Sequence, residues 1–231
     1  GRLDDISLGI QCLLTEDPAL AMDTARALNE LNQDRKLIEQ DMQREALSIV
    51  EKLAFDTEAE LPSALCLFQP DWHQGVVGLL ASRIKEKYHR PVIAFARGDN
   101  GELKGSSRSI PGLHIRDALD SVATQNPGLI TKFGGHAMAA GLSLDEGKLA
   151  EFQQAFEQQV AKSLSADDLQ AKLVTDGSLE SQQLSMQTAE LLRESGPWGQ
   201  LFPEPCFEGD FVIVQQRIVG EKHLKLVLAP V

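Results

Sequence analysis

The chain has 231 residues, of which 42% are hydrophobic and 24% charged, with a formal net charge of −12. That is the composition of an ordinary soluble globular protein, long enough for one large domain or two modest ones. It contains no run of about 18 apolar residues and no basic, apolar leader, so neither a membrane span nor a signal peptide is expected.

The acidic total argues against a nucleic-acid partner, but its distribution matters more than its sum. Residues 1–59 carry 6 Lys+Arg against 13 Asp+Glu, and residues 142–231 carry 7 against 14. Residues 60–141 carry 9 against 7 and are the one positive segment, which permits a phosphate ligand there. Cys12, Cys66 and Cys206 are odd in number, far apart and without metal-type spacing, so they read as buried thiols of a reducing cytoplasm.

In chain order, Asp17-Pro18 predicts an N-cap followed by proline at the first helical position. From there to Pro62 there is neither glycine nor proline, and Leu28, Leu31, Ile38, Met42, Ile49 and Leu53 recur at three-and-four spacing, with Arg35 and Ala46 in the gaps. A helix over about 18–54 would span roughly 55 Å, which predicts a connector between two bodies, with a coiled-coil dimer as the alternative. Pro62 opens an alternating βα region expected over 60–164: a strand at Ala64–Phe68, a helix at Val76–Tyr88, a strand at Val92–Ala96, and a hairpin turn at Asp99-Asn-Gly101 leading into a strand at Glu102–Gly105. A helix at His114–Thr124, a short strand at Leu142–Leu144 and an amphipathic helix at Lys148–Leu164 complete a layered α/β domain.

The remainder differs in style. Leu173–Asp176 is strand-like, Leu184–Arg193 is helical, Gly196-Pro-Trp-Gly199 is a rigid turn, and Phe207–Gln215 with Arg217–Leu228 alternate as a β pair. These strands are too few to close a barrel or sandwich. With no initiator methionine at Gly1 either, both ends are expected to be cut from a longer chain.

Three segments offer anion-binding chemistry. In Lys132-Phe-Gly-Gly-His-Ala-Met-Ala-Ala-Gly141, Gly134 and Gly135 remove every Cβ from the approach to His136, so backbone N–H groups can meet a ligand closely. If Ala137–Ala140 open a helix, its N-terminus also favours phosphate; otherwise the segment is a tight turn with a core histidine. Gly105-Ser-Ser-Arg-Ser109 follows the predicted strand; Arg108 can grip a phosphate bidentately while Ser106, Ser107 and Ser109 complete a cradle, unless the pentapeptide is a solvated turn. In Trp72-His-Gln-Gly-Val-Val-Gly78, Trp72 either stacks on a base or is buried against the helix, and His73 is either a ligand-binding group or an N-cap. Arg2 is by default an exposed arginine. No metal shell, nucleophile elbow or Walker loop is visible. The chain has anion-binding equipment without hydrolytic machinery.

In this order the motifs resemble the DHH/DHHA1 phosphoesterase superfamily. The resemblance rests on Gly1-Arg-Leu-Asp-Asp5, the long helix, the tryptophan block with Ala81-Ser-Arg83, Gly105–Ser109 and Phe133–Gly141. The tryptophan block and Pro197-Trp-Gly-Gln-Leu-Phe-Pro-Glu-Pro205 narrow it to the single-strand exonuclease branch, away from the related module of alanyl-tRNA synthetases. It implies the tail of a DHH catalytic domain at 1–16, a connector helix at 17–59, a DHHA1 substrate-binding domain at 60–164, and the start of an OB-fold at 165–231. It also implies hydrolysis of single-stranded DNA from the 5′ end to mononucleotides in repair and recombination, with two Mg2+ or Mn2+ ions held upstream of residue 1. By the same resemblance His136 is catalytic, Arg2 sits near the 5′ phosphate, and Arg108, its serines and the glycines before His136 hold the substrate. Single-strand-binding protein and a helicase are the implied partners, a bacterial cytoplasmic monomer the implied state. A phosphodiesterase of short oligonucleotides or cyclic dinucleotides, or a non-catalytic nucleic-acid-binding module, are the other readings.

Overall fold

A computed structural model describes residues 2–56, 61–98, 101–199, 202–220 and 223–231, with backbone alone for 54–56. By its internal contacts the chain divides into two compact units, residues 1–171 and 172–231.

The first unit opens with α1 (Ser7–Leu14) and α2 (Pro18–Asp56). The Asp17 carboxylate accepts the Ala19 N–H at 2.9 Å, so the predicted cap is in place before Pro18. With 39 residues, α2 is about 58 Å long. Its stripe is used locally: Met42, Ala46 and Val50 are buried against α3 (Val77–Tyr88) and Trp72. Arg35 and Glu39, which interrupt the apolar spacing, pair with each other, and Glu39 also accepts from Arg83 of α3. The C-terminal part of the stripe is therefore covered by the chain itself, while Leu28 and Leu31 are partly exposed and Leu53 is exposed.

β1 (Leu65–Phe68), β2 (Val92–Arg97), β3 (Glu102–Arg108), β4 (Lys132–Gly135) and β5 (Ala139–Asp145) form one sheet in the order β1-β2-β3-β5-β4, parallel only between β1 and β2. Asp99 and Asn100 of the expected hairpin turn lie outside the described residues. On one face, Ile93, Phe95, Leu103, Leu142 and Leu144 pack on α4 (Ile115–Gln125) and α5 (Leu149–Ser163). On the other, Val92, Ala94 and Ala96 pack on α3 and the C-terminal half of α2. β2 is thus covered on both faces, the physical origin of its unbroken apolar run. β4 and β5 receive a helical layer on one face only. Their other face alternates exposed positions, Lys132 and Gly134 on β4 and Gly141 and Asp145 on β5.

The second unit holds α6 (Met186–Glu194) and the hairpin of β6 (Phe211–Val219) with β7 (His223–Pro230). Ser185 caps α6 by accepting the Thr188 N–H, and the Trp198 and Phe202 rings pack 4.9 Å apart. Two expectations fail here. Leu173–Asp176 forms no strand, since its extended backbone has only isolated contacts: the Asp176 N–H donates to the Cys206 carbonyl, and Ser178 bridges Glu208. The β pair also turns at Gly220, not near Gln216, so the second strand starts six residues later than expected. Among the described residues no helix is long and apolar enough to cross a membrane.

Candidate phosphate-binding site

The structure corrects the local setting of both phosphate motifs. Gly105–Arg108 does not follow a strand as a loop; it is the second half of β3. Period-two alternation then sorts its residues. Ser107 and Ser109 point inward, at 0% and 1% exposure. The Ser107 hydroxyl donates to the Ala140 carbonyl at 2.8 Å and accepts the Ala140 N–H at 3.2 Å. Ser109 donates to the Leu113 carbonyl at 2.7 Å. Both hydroxyls are spent on the fold, so neither belongs to a phosphate cradle. Ser106 and Arg108 face the other way, onto the partly open face.

Nor do Ala137–Ala140 open a helix. Lys132-Phe-Gly-Gly135 is β4, Ala139 begins β5, and His136 lies in the turn between them. The His136 N–H donates to the Ala139 carbonyl at 2.8 Å, so no helix N-terminus is presented to a phosphate here. What replaces it is register. Arg108 pairs with Ala139, and His136 bonds Ala139 from the far side, so Arg108 and His136 stand on one row of three strands. Two residues along, Ser106, Gly141 and Gly134 form the next row. The turn is anchored from below, because Ser109 and Ile115 donate to the carbonyls of Met138 and Ala137. His136 itself is exposed.

The two glycines have different reasons. A Cβ at Gly134 would meet nothing within 4 Å, so that position keeps the face bare. A Cβ at Gly135 would lie 2.4 Å from the Ala140 Cα, and its φ is +151°. Gly135 is required by the hairpin itself.

Arg108 is half-buried and held on three sides. Its Nε donates to Ser82 Oγ at 3.1 Å, and its Nη1 donates to Ser106 Oγ at 3.2 Å and to the Ser107 carbonyl at 2.8 Å. Gly78 of α3 leaves room for it, since a Cβ there would come 3.1 Å from Nη2. Ser82 and Gly78 complete the site; both lie in the blocks on which the resemblance rests, Trp72–Gly78 and Ala81–Arg83, but neither was assigned a role there. Their signal was the four-residue spacing on α3, which puts both toward β3. Burial lowers the Arg108 pKa, and the positive charge of Arg2 lowers it further. Among the described residues neither Arg2 nor Arg108 has a carboxylate within salt-bridge distance. Two guanidiniums without a carboxylate at bonding distance among the described residues make a site that favours an anion.

Arg2 reaches this position through its backbone, which lies on Gly75 so closely that a Cβ there would be 1.8 Å from the Arg2 carbonyl oxygen. His73 is not the N-cap of α3, which is Val76 without a side-chain cap; it shapes the turn before the helix, its Nδ1 accepting the Gly75 N–H at 3.0 Å and its carbonyl accepting from Val76 and Val77. Trp72 is 4% exposed in the core between α2 and α3, with Nε1 donating to Glu45 at 2.8 Å. It offers no face to a base, so the stacking role is excluded. Cys12 and Cys206 are partly exposed, not buried as expected, whereas Cys66, also of intermediate exposure as a residue, packs its side chain against the core. Among the described residues no three His, Cys, Asp or Glu side chains are grouped to hold a metal ion.

Residues 61–162 match the DHHA1 domain family, and residues 175–230 match the RecJ OB domain. It is 55% identical over 231 residues to the single-stranded-DNA-specific exonuclease RecJ of Salmonella typhimurium, and 51% identical over 232 residues to that of Haemophilus influenzae. Each match covers 100% of this chain and 40% of the relative, so the chain spans well under half the length of these relatives. Its fold matches RecJ of Thermus thermophilus, crystallised in complex with Mg2+, with a TM-score of 0.78 and 30% identity, covering 98% of this chain and 34% of that one. The α/β class, the long helix and the small β unit that follows residues 61–162 agree with that structure.

Proposed function

We propose that this chain is the substrate-holding part of a bacterial, cytoplasmic, single-strand-specific DNA exonuclease acting in repair and recombination. The observation that carries the reading is the half-buried Arg108, without a carboxylate partner among the described residues, beside Arg2 on a sheet face bared by Gly134 and Gly141. Arg108 and Ser106 bind the terminal phosphate, Arg2 adds the second positive charge at a 5′ end, and His136 closes the row as a hydrogen-bond donor. This arrangement fits attack from the 5′ end with release of mononucleotides.

Residues 1–16 would be the tail of a catalytic domain, 17–59 the connector, 60–164 the DHHA1 domain, and 165–231 the start of the OB domain. The described residues do not fit a two-metal centre, so Mg2+ or Mn2+ would be held outside them, and this chain's part is to orient the scissile phosphate and neutralise charge on its oxygens. The OB domain adds affinity for single strands and counts against a substrate of only two nucleotides. A monomer recruited by single-strand-binding protein and a helicase is the physiological setting that fits.

The test is kinetic. In the full-length protein, Arg108→Ala and His136→Ala are each expected to lower kcat/KM on single-stranded DNA by roughly 10²–10³, the scale for removing one preorganised donor. Residues 1–231 alone are expected to hydrolyse nothing with either metal. Near-normal rates in both variants would return this face to a purely structural role.

A further inference from the structure

We propose that single-stranded DNA held at Arg108 continues along the same sheet face to a second set of phosphate contacts made by Lys104 and Lys132, an inference that rests on the phosphate-holding role of Arg108. The register places these residues. Lys104 of β3 and Lys132 of β4 both pair with Ser143 of β5, so Lys104, Ser143 and Lys132 form one row across three strands. By alternation this row faces the same way as Arg108 and Ser106. Both lysines are exposed.

Between the lysine row and the Arg108–His136 row lies the row Ser106, Gly141, Gly134, which contributes one hydroxyl and no larger group. A Cβ at Gly134 would touch nothing, and one at Gly141 only the Gly105 carbonyl at 3.8 Å. A backbone can therefore lie flat from one row to the other. Arg108 and Lys104 are four residues apart, or about 13 Å along the strand. That is at most about four internucleotide steps, and fewer for an extended strand, given some 3.4 Å per nucleotide in a duplex. Lys104 and Lys132 are two strands apart, roughly 9.6 Å, so their long side chains can grip one phosphate over Ser143 from both sides.

Charge also sets where the track stops. Glu102 pairs with Asp145 in the row beyond, and two carboxylates there repel a phosphate. The strand is lifted off the sheet at that edge. Lys104 lies 3.8 Å from Glu102 with both side chains substantially exposed, a pairing weak enough for a phosphate to displace. Contacts of this kind carry no sequence information and fix position and register.

The experiment measures binding by the full-length protein in a chelator, so that the strand stays intact, across a salt series. The probes are a 5′-phosphorylated dinucleotide and an oligothymidine of about twelve nucleotides. Lys104→Ala and Lys132→Ala are each expected to weaken the long strand several-fold and to lower its salt slope by about 0.7, leaving the dinucleotide unchanged. Lys162→Ala, on α5 across the sheet, is the control and should change neither. Arg108→Ala should weaken both probes. Wild-type salt slopes in the two lysine variants, with Arg108→Ala still impaired, would overturn the track and leave the Arg108 site standing. Undiminished binding of both probes by Arg108→Ala would overturn the site on which the track depends.

Discussion

Adjacent glycines in one motif make a sharp experiment, because Gly134 and Gly135 are needed for unrelated reasons. In Gly135→Ala the new methyl would sit 2.4 Å from the Ala140 Cα and 2.5 Å from the Ala139 carbonyl oxygen, on a residue with φ of +151°. The contacts involve backbone across a pair of strands, so no side-chain rotation relieves them. The sparsely allowed φ costs about 1–3 kcal/mol for a residue with a Cβ, and forced overpacking typically another ~1–3 kcal/mol. A central figure of about 4 kcal/mol lowers the Tm of a domain this size by roughly 8–16 °C. Gly134→Ala meets nothing within 4 Å, and as a glycine-to-alanine change in a strand it should shift stability by less than about 0.5 kcal/mol. Its methyl stands on the row between His136 and Lys132, so affinity for a 5′-phosphorylated oligonucleotide should fall about tenfold, or some 1.4 kcal/mol. Thermal unfolding and anisotropy binding measure the two effects separately. Equal losses of Tm in the two variants, or an unaltered affinity in Gly134→Ala, would refute the division of roles.

Three further outcomes follow from the same geometry. Inorganic phosphate at ten times its Kd should stabilise the protein by about 1.4 kcal/mol in thermal unfolding, and Arg108→Ala should abolish that shift; a shift that survives would mean the anion binds elsewhere. Trp72→Ala should cost about 3–5 kcal/mol, because it empties the core between α2 and α3 and removes the partner of Glu45, while the preference among homopolymer strands stays unchanged; a change in that preference would restore the stacking role. Burial, assisted by the charge of Glu157, pushes the Cys66 thiol well above its ordinary value. The thiolate is therefore scarce at about pH 8, and alkylation of native Cys66 should be slow until denaturant unfolds the domain; mass spectrometry showing rapid native modification would contradict this.

Much of the architecture is local and was legible in the residues. The long helix α2 follows from a capping Asp17, Pro18, and a long stretch without a helix breaker. β2 follows from an apolar run too short for a helix, and α3, α4 and α5 from their periodic apolar faces. The middle segment, the one with a positive balance, is also the one that holds Arg108 and His136. Where the readings failed, the deciding contact lay far off in sequence. Ala137–Ala140 has the composition of a helix, yet Ala139–Asp145 pairs residue by residue with Glu102–Arg108, and those long-range hydrogen bonds outweigh the propensity of alanine.

The serine pentapeptide shows the division most clearly. Sequence alone determined that Arg108 and three hydroxyls lie within five residues, in a chain that also carries a glycine-flanked histidine, and that is the chemistry on which a phosphate ligand is proposed. It did not determine which hydroxyls are free, because that depends on the pleat. Once β3 pairs with β5, alternate side chains turn to opposite faces: Ser107 and Ser109 go into the core, while Ser106 and Arg108 stay outside. The same folding brings Arg2 over Gly75, from 73 residues away, to a place where its charge acts on Arg108. Residue types set the chemistry the chain can perform. Only the tertiary structure, through strand register and the approach of distant backbone, decides which of those residues meet on one surface.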